Sequence, residues 1–444
     1  MRPIAAIAQS ALLAASLLLA ALAGCSTPKR VKPLPEELSK VAVIPGIPGA
    51  RNWGDVAPES IERWFDRSDS EVIEHYSGIY AREHHYLSIS GGGADGAFGA
   101  GLLCGWSEHG DRPQFTLVSG ISTGALIAPF AYLGSDYDDD LRRLYTSYST
   151  KDLGKQRSIF GIVFGSSVMD TSRMRDKIEE LYPIELLDAI AEEAKKGRSL
   201  QIGTTNIDAR RPVVWSIGRI ALSESPDRLK LFHDILMASA AIPGAFDPIL
   251  FEVEADGELY DELHVDGGAT NQLFLYPVGL DWGRVMEKLK VPGNPTVYTI
   301  RNSKLAADYR VVQPWVVDIS ASTVFSLMRT SGFGDLYRLY LAARRDGLAF
   351  RLASIPRYFD ASAEEPLRQG VHAGALRGRL RPCDRGVPVE SVAPGVRLRR
   401  RRRRVGAPGR CYSIGDFDPL PAGGMESGFR LLSSARMFPR ESPR

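Results

Sequence analysis

Apolar positions along the 444-residue chain repeat at two different periods, and the alternation between them predicts the fold. Tyr86-Leu87-Ser88-Ile89-Ser90 places apolar side chains at every second position and runs into a glycine cluster, as a strand entering a loop does. Residues 115–119 read as a second strand, and a helix-like run over 125–133 follows it. Residues 98–106 also read as a helix. Leu186, Leu187, Ile190, Ala191 and Ala194 recur at helical spacing, and Gly197 is placed to stop that helix. Residues 200–204 and 296–300 are further strand candidates. Strands alternating with helices predict an α/β fold, a three-layer α/β/α sandwich on a mostly parallel central sheet, over residues 81–310. A helical region is expected over 311–360, densest at 314–352. Periodicity ends beyond Phe359.

The two ends of the chain differ from this middle. Arg2 precedes an almost unbroken run of Ala, Leu and Ile over 4–22, and Leu22-Ala23-Gly24-Cys25 closes it. Residues 1–24 therefore read as a signal peptide, with a small-residue cleavage site and the Cys25 thiol as the group that receives a lipid. An ordinary secretory signal or a single transmembrane helix is the plainer alternative. Residues 25–80 contain Pro33, Pro35, Pro45 and Pro48 and are expected to be a tether or N-terminal extension. Residues 361–444 form an aperiodic tail crowded with Arg, Gly and Pro, with an unbroken basic run over 399–404. Its abrupt onset suggests a segment read out of frame after about Glu365 and lacking a native fold, or else a disordered cationic tail.

Composition narrows the function classes. Hydrophobic residues make up 44% and charged residues 24% of the chain, ordinary for a globular protein. A net charge of +2 points to no nucleic-acid partner. Cys25, Cys104, Cys383 and Cys411 have no paired spacing and no histidine-rich neighbours, so neither a disulfide framework nor a metal site is expected, and no cofactor.

Three short motifs carry candidate chemistry. Gly120-Ile121-Ser122-Thr123-Gly124 is a G-x-S-x-G between a strand and a helix. There a sharp turn lifts a serine hydroxyl above the sheet, Gly120 and Gly124 leave room for it, and the helix start favours an anionic intermediate. The plain alternative is a glycine-rich turn. Gly91-Gly92-Gly93-Ala94-Asp95-Gly96 follows a strand, and its unobstructed N–H groups suit an oxyanion hole. The absence of a following lysine disfavours a P-loop. Gly91, Gly93 and Gly96 also fit G-x-G-x-x-G, but no strand-end acid lies about twenty residues on. The third motif is Asp266-Gly267-Gly268 after Leu263-His264-Val265, which in isolation is a common turn.

In this order the three motifs resemble the patatin-like phospholipases. Ala238-Ser239-Ala240-Ala241-Ile242-Pro243 through Pro248 is similar to the family's ASxAxPxxFxP segment, and Thr204-Thr205-Asn206-Ile207-Asp208 to its strand leading to a hairpin. The resemblance covers about Tyr86 to Asn302. It implies a Ser–Asp dyad acting on lipid acyl esters, with Ser122 as nucleophile, Asp266 as base and Gly91, Gly92 and Gly93 as the oxyanion hole. Asp95 departs from the family, which usually has Arg or Lys there, and this puts a cationic contribution to phosphate binding in doubt. A Ser122–His264 dyad stays open, while His372 lies in the tail. The expected partners are a lipid acyl-ester substrate and a membrane surface reached through the lipid on Cys25. Ser26 is compatible with an outer-membrane site facing the periplasm. The competing functions are a carboxylesterase or thioesterase on soluble acyl substrates, and a lipoprotein scaffold without activity.

Overall fold

The computed structural model describes residues 30–146, 155–156, 169–307, 309 and 311–356. Its strands are β1 (Arg51–Trp53), β2 (His85–Ile89), β3 (Leu117–Ile121), β4 (Lys155–Gln156), β5 (Met169–Asp170), β6 (Ser199–Asn206), β7 (Arg211–Ser216), β8 (Ile249–Ala255), β9 (Glu258–Asp266), β10 (Thr296–Lys304) and β11 (Ala349–Ile355). Nine of them form one sheet in the order β1-β7-β6-β3-β2-β10-β11, with the β8–β9 hairpin branching from β6. The five strands from β6 to β11 run parallel, while β1, β7, β8 and β9 pair antiparallel at one side. This is the expected α/β fold with a mixed, mostly parallel centre.

Among the helices that pack around this sheet in the described residues are α1 (Gly96–His109), α2 (Thr123–Leu133), α3 (Ile184–Lys195), α4 (Arg228–Ser239), α5 (Trp282–Lys288) and α6 (Val316–Arg345). The strands send alternate side chains into two separate cores. Leu87, Ile89, Val118 and Ile300 pack with α1 to α4, whereas Tyr86, Leu117, Val297 and Leu352 pack with Leu336, Leu339 and Ala343 of α6. A sheet covered on both faces needs apolar residues at nearly every position. Every residue of β3 is buried, and that strand begins two positions later than its alternation suggests.

Two sequence expectations are corrected. The helical region does not reach Leu352, because Gly347, at φ +73°, ends the path of α6. Residues 349–355 instead become β11, whose alternating burial lets it pair in parallel with β10. The proline-rich stretch is not a free tether from Arg30 onward. Ile44, Ile47 and Ala50 join the main core, and β1 extends the sheet beside β7. Pro45 and Pro48 lie in turns there, and Ile44, Ile47 and Ala50 are packed while many neighbouring side chains stay exposed.

Candidate active site

Ser122 and Asp266 meet because one strand holds both of their own. The last pair of the β3–β6 ladder is Ile121 with Gly203, and the β6–β9 ladder begins at the next residue, Thr204, opposite Asp266. Thus β9 takes up the edge of β6 where β3 leaves it, and the two side chains emerge at that junction. It lies at the carboxyl ends of the parallel strands, where sheets of this kind place their ligands.

Ser122 sits at φ 56°, ψ −125°, a strained conformation for a residue with a side chain, costing about 1–3 kcal/mol. Its surroundings enforce it. The Ser122 N–H donates to Ser239 Oγ at 3.0 Å, and the Ser239 hydroxyl donates onward to the Gly203 carbonyl at 2.7 Å. A β-carbon on Gly120 would collide with the Gly124 carbonyl, and one on Gly124 with the Ile89 carbonyl. Both glycines therefore let backbones approach. Two residues after Ser239, the Ala241 carbonyl accepts the Asp266 N–H at 2.9 Å. One short segment after α4 thus braces both candidate residues, a role that its motif alone did not reveal.

Asp266 is fully buried. Burial pushes its carboxyl up to about 7, against the opposing pull of the Ser122 hydroxyl and the Gly268 N–H. Oδ1 accepts that N–H at 2.7 Å, while Oδ2 has no partner of good hydrogen-bond geometry. The contact with Ser122 is therefore a loose one, as is common in a site without substrate. A β-carbon on Gly267 would lie 2.5 Å from the Gly203 carbonyl, which explains the first glycine of Asp-Gly-Gly.

His264 is also fully buried, but both of its ring nitrogens are engaged elsewhere. Nδ1 meets Thr204 Oγ1 at 2.9 Å and Nε2 meets Glu262 Oε2 at 3.3 Å. The Trp215 N–H already donates to the Thr204 oxygen, which leaves the threonine proton for Nδ1 and fits a neutral, Nε2-protonated ring. Burial lowers the histidine's proton affinity further. Nothing in this arrangement leaves a nitrogen free for Ser122.

The Gly91 loop lies beside Ser122. A β-carbon on Gly91 would come 3.1 Å from Ser122 Cβ and 2.9 Å from Gln272 Oε1. Among the described residues, the N–H groups of Gly91, Gly92 and Gly93 donate to no acceptor. Asn302 anchors the loop: its side chain donates to the Ser90 carbonyl and accepts from the Gly99 N–H, and its backbone crowds Gly92. Asp95 is exposed at the start of α1.

Ser122, Asp266, Gly91, Gly92, Gly93, Gly120 and Gly124 therefore converge in one place. Cys25 and His372 lie outside the described residues, as do the signal peptide and the arginine-rich tail. Among the described residues no cluster of three His, Cys, Asp or Glu side chains could hold a metal, and no helix is long and apolar enough to cross a membrane. Cys104 is buried, with its thiol pushed up to about 12.

The family model for patatin-like phospholipases matches residues 87–278, a stretch that contains both Ser122 and Asp266. Over this segment the chain is similar to the patatin-like phospholipases. The family is one of serine hydrolases. Solved structures similar to the chain include VipD from Legionella pneumophila, at 14% identity over 67% of this chain and 65% of that one, with a TM-score of 0.31. Human GIVD cytosolic phospholipase A2 is another, at 11% identity over 69% of this chain and 52% of that one, with a TM-score of 0.29. The chain thus spans less than two thirds of either structure. No curated protein sequence matches the chain.

Proposed function

We propose that the patatin-like domain is a lipid acyl-ester hydrolase in which Ser122 attacks the ester carbonyl and Asp266 takes its proton. The observation that carries this reading is the buried Asp266 carboxyl, raised to about 7 and in contact with a serine on a strained turn. A carboxyl with an ordinary proton affinity would be a poor base for a hydroxyl; one raised toward neutrality is better matched to the task. Attack of Oγ on the carbonyl carbon forms a tetrahedral oxyanion, and the N–H groups of Gly91, Gly92 and Gly93 are the candidate donors to it. Collapse expels the alcohol, which leaves with the proton held by Asp266, and the acyl group remains on Ser122. Asp266 then takes a proton from water as it attacks the acyl carbon, and returns it to Oγ as the acid departs. Oxyanion donors in such sites are worth about 3 kcal/mol each.

Ser122→Ala should abolish labelling by a fluorophosphonate and lower lipid ester hydrolysis by roughly 10³-fold or more. Labelling that survives this substitution would remove Ser122 from the mechanism. The sequence Leu22-Ala23-Gly24-Cys25 supports a further part of the reading, that lipid on Cys25 holds the domain at the cell envelope, with the outer membrane facing the periplasm as the site. Cys25→Ser should then move the protein out of the membrane fraction or leave it as an unprocessed precursor, and unaltered fractionation and migration would refute the anchor.

A further inference from the structure

Close to the nucleophile lies a buried positive charge for which the proposed mechanism has no use. Arg301, at the carboxyl end of β10, is 2% exposed, yet it forms no ion pair with any described carboxylate. Its Nε donates to Ser303 Oγ at 2.9 Å, and its terminal nitrogens meet no acceptor among the described residues. The β10–β11 register breaks just after Arg301, and an irregularity of this kind re-aims a side chain. Arg329, half-buried on α6, donates to the Leu305 carbonyl at 3.1 Å. The two guanidinium carbons stand 4.5 Å and 4.8 Å from the centre of the same Phe333 ring. Burial, and next the like charge of Arg329, press the Arg301 proton affinity down to about 10, with Asp335 acting the other way. A buried guanidinium with a like charge stacked on the same ring is costly unless an anion joins it.

The pair is near the reacting centre. A β-carbon on Gly332 would lie 3.3 Å from Arg301 Nη1 and 3.1 Å from Gln272 Cβ, and Gln272 in turn touches the Gly91 position beside Ser122. Gln272 therefore stands between Arg301 and the Gly91 loop, and Arg329 reaches the same place through the shared Phe333 ring. We propose that Arg301 and Arg329 form a phosphate subsite, which receives the phosphate of a glycerophospholipid while its ester lies at Ser122. This rests on the lipid-hydrolase reading of the dyad. Planar guanidinium groups suit phosphate oxygens, and the pair supplies from the far end of the chain the positive charge that the glycine loop lacks at Asp95.

The test compares kcat/KM for phosphatidylglycerol with that for diacylglycerol, both in mixed micelles, in the full chain and in its Arg301→Gln, Arg329→Gln and Arg301→Lys variants. The phospholipid-to-diacylglycerol ratio should fall about tenfold or more in each Gln variant, mainly through KM, and less in Arg301→Lys. Arg301 is inside the fold, so melting curves accompany the kinetics, and Arg329→Gln, on a half-exposed side chain, gives the result if Arg301→Gln does not fold. A ratio that does not move overturns the proposal. A second arm is independent of turnover. Calorimetry should show sn-glycerol 3-phosphate binding to Ser122→Ala protein and that binding lost in the Arg329→Gln background. If inorganic phosphate alone binds and the lipid ratio is unmoved, the head-group assignment is overturned. If the chain neither hydrolyses lipid nor labels at Ser122, yet binds glycerol phosphate through the arginines, the hydrolase reading falls and the subsite stands.

Discussion

At the scale of single residues, Asp266 links stability to chemistry. Its carboxyl is raised in the fold from an ordinary 3.8 to about 7, so between those values the folded chain holds a proton that the unfolded chain has lost. Stability therefore declines as pH rises through this window and levels off above about 7, the whole difference amounting to roughly 4 kcal/mol. In the proposed mechanism Asp266 must be ionised to accept a proton, so turnover should rise with pH through an acid limb near 7. Asp266→Asn should lose hydrolysis nearly as completely as Ser122→Ala, yet resist denaturant better than the parent, with a larger gain at pH 8 than at pH 5. An unchanged midpoint at pH 8 would mean that the carboxylate is not buried in the folded chain. The meeting of the two candidate residues was legible in the sequence because each sits in a motif whose glycines are demanded by close backbone contact. The histidine alternative was open in the sequence because His264 and Asp266 share strand parity; only the three-dimensional placement of Thr204 and Glu262 occupies its ring.

At the scale of elements, the site is held by pieces distant in the chain, and these were the least legible. The segment after α4 matched a family pattern, but its use as a brace depends on a hydroxyl meeting one backbone N–H and one carbonyl, which no spacing encodes. Ser239→Ala would leave the Ser122 N–H buried without an acceptor, costing about 1–3 kcal/mol. Because that bond holds the strained turn, kcat should drop about tenfold or more with little change in KM, and an equal change in both would refute a positioning role. On the other side, α6 clamps the loop that follows Asp266. The buried Asp335 carboxylate accepts from the Gln272 N–H at 2.6 Å, the Leu273 N–H at 3.4 Å and Asn271 Nδ2 at 3.1 Å, with Arg338 beside it. Asp335→Ala should speed hydrogen exchange at the Gln272 and Leu273 amides, and protection equal to the parent's would show that another contact closes the loop. The strand after α6 is short, and although Leu348, Phe350 and Leu352 alternate at period two, so brief a run directly after a long helix is hard to separate from it; the partner edge of β10 decides it.

At the scale of the whole molecule, the sheet that carries Ser122 is continued by a segment that the sequence marked as outside the body. Proline content suggested a tether, while its apolar side chains, such as the unbroken run Val41-Ala42-Val43-Ile44, show neither a strand nor a helix period, so the packing of Ile44 and Ile47 was invisible without the rest of the fold. What fixes that segment is charge as much as apolar area. Arg51 grips Glu262 with two bonds, Nη1 to Oε2 at 2.5 Å and Nη2 to Oε1 at 2.9 Å, both side chains being nearly inaccessible. Burial alone would raise the Glu262 carboxyl, but the His264 hydrogen bond and the Arg51 charge outweigh it and hold it below its usual range. The pair thereby ties β1, at one edge, to β9, which carries Asp266 four residues on. Arg51→Met should cost about 3–5 kcal/mol, because it strands a buried carboxylate, whereas Arg51→Met with Glu262→Met should recover much of that loss. The coupling is read from denaturant midpoints of the two single variants, the double variant and the parent. Strictly additive losses would mean that the pair does not fasten the N-terminal segment. A strong coupling would instead carry over to the site, where the single Arg51→Met variant should hydrolyse ester more slowly than the double one, since only the single variant leaves an unpaired charge beside His264 on the strand that presents Asp266.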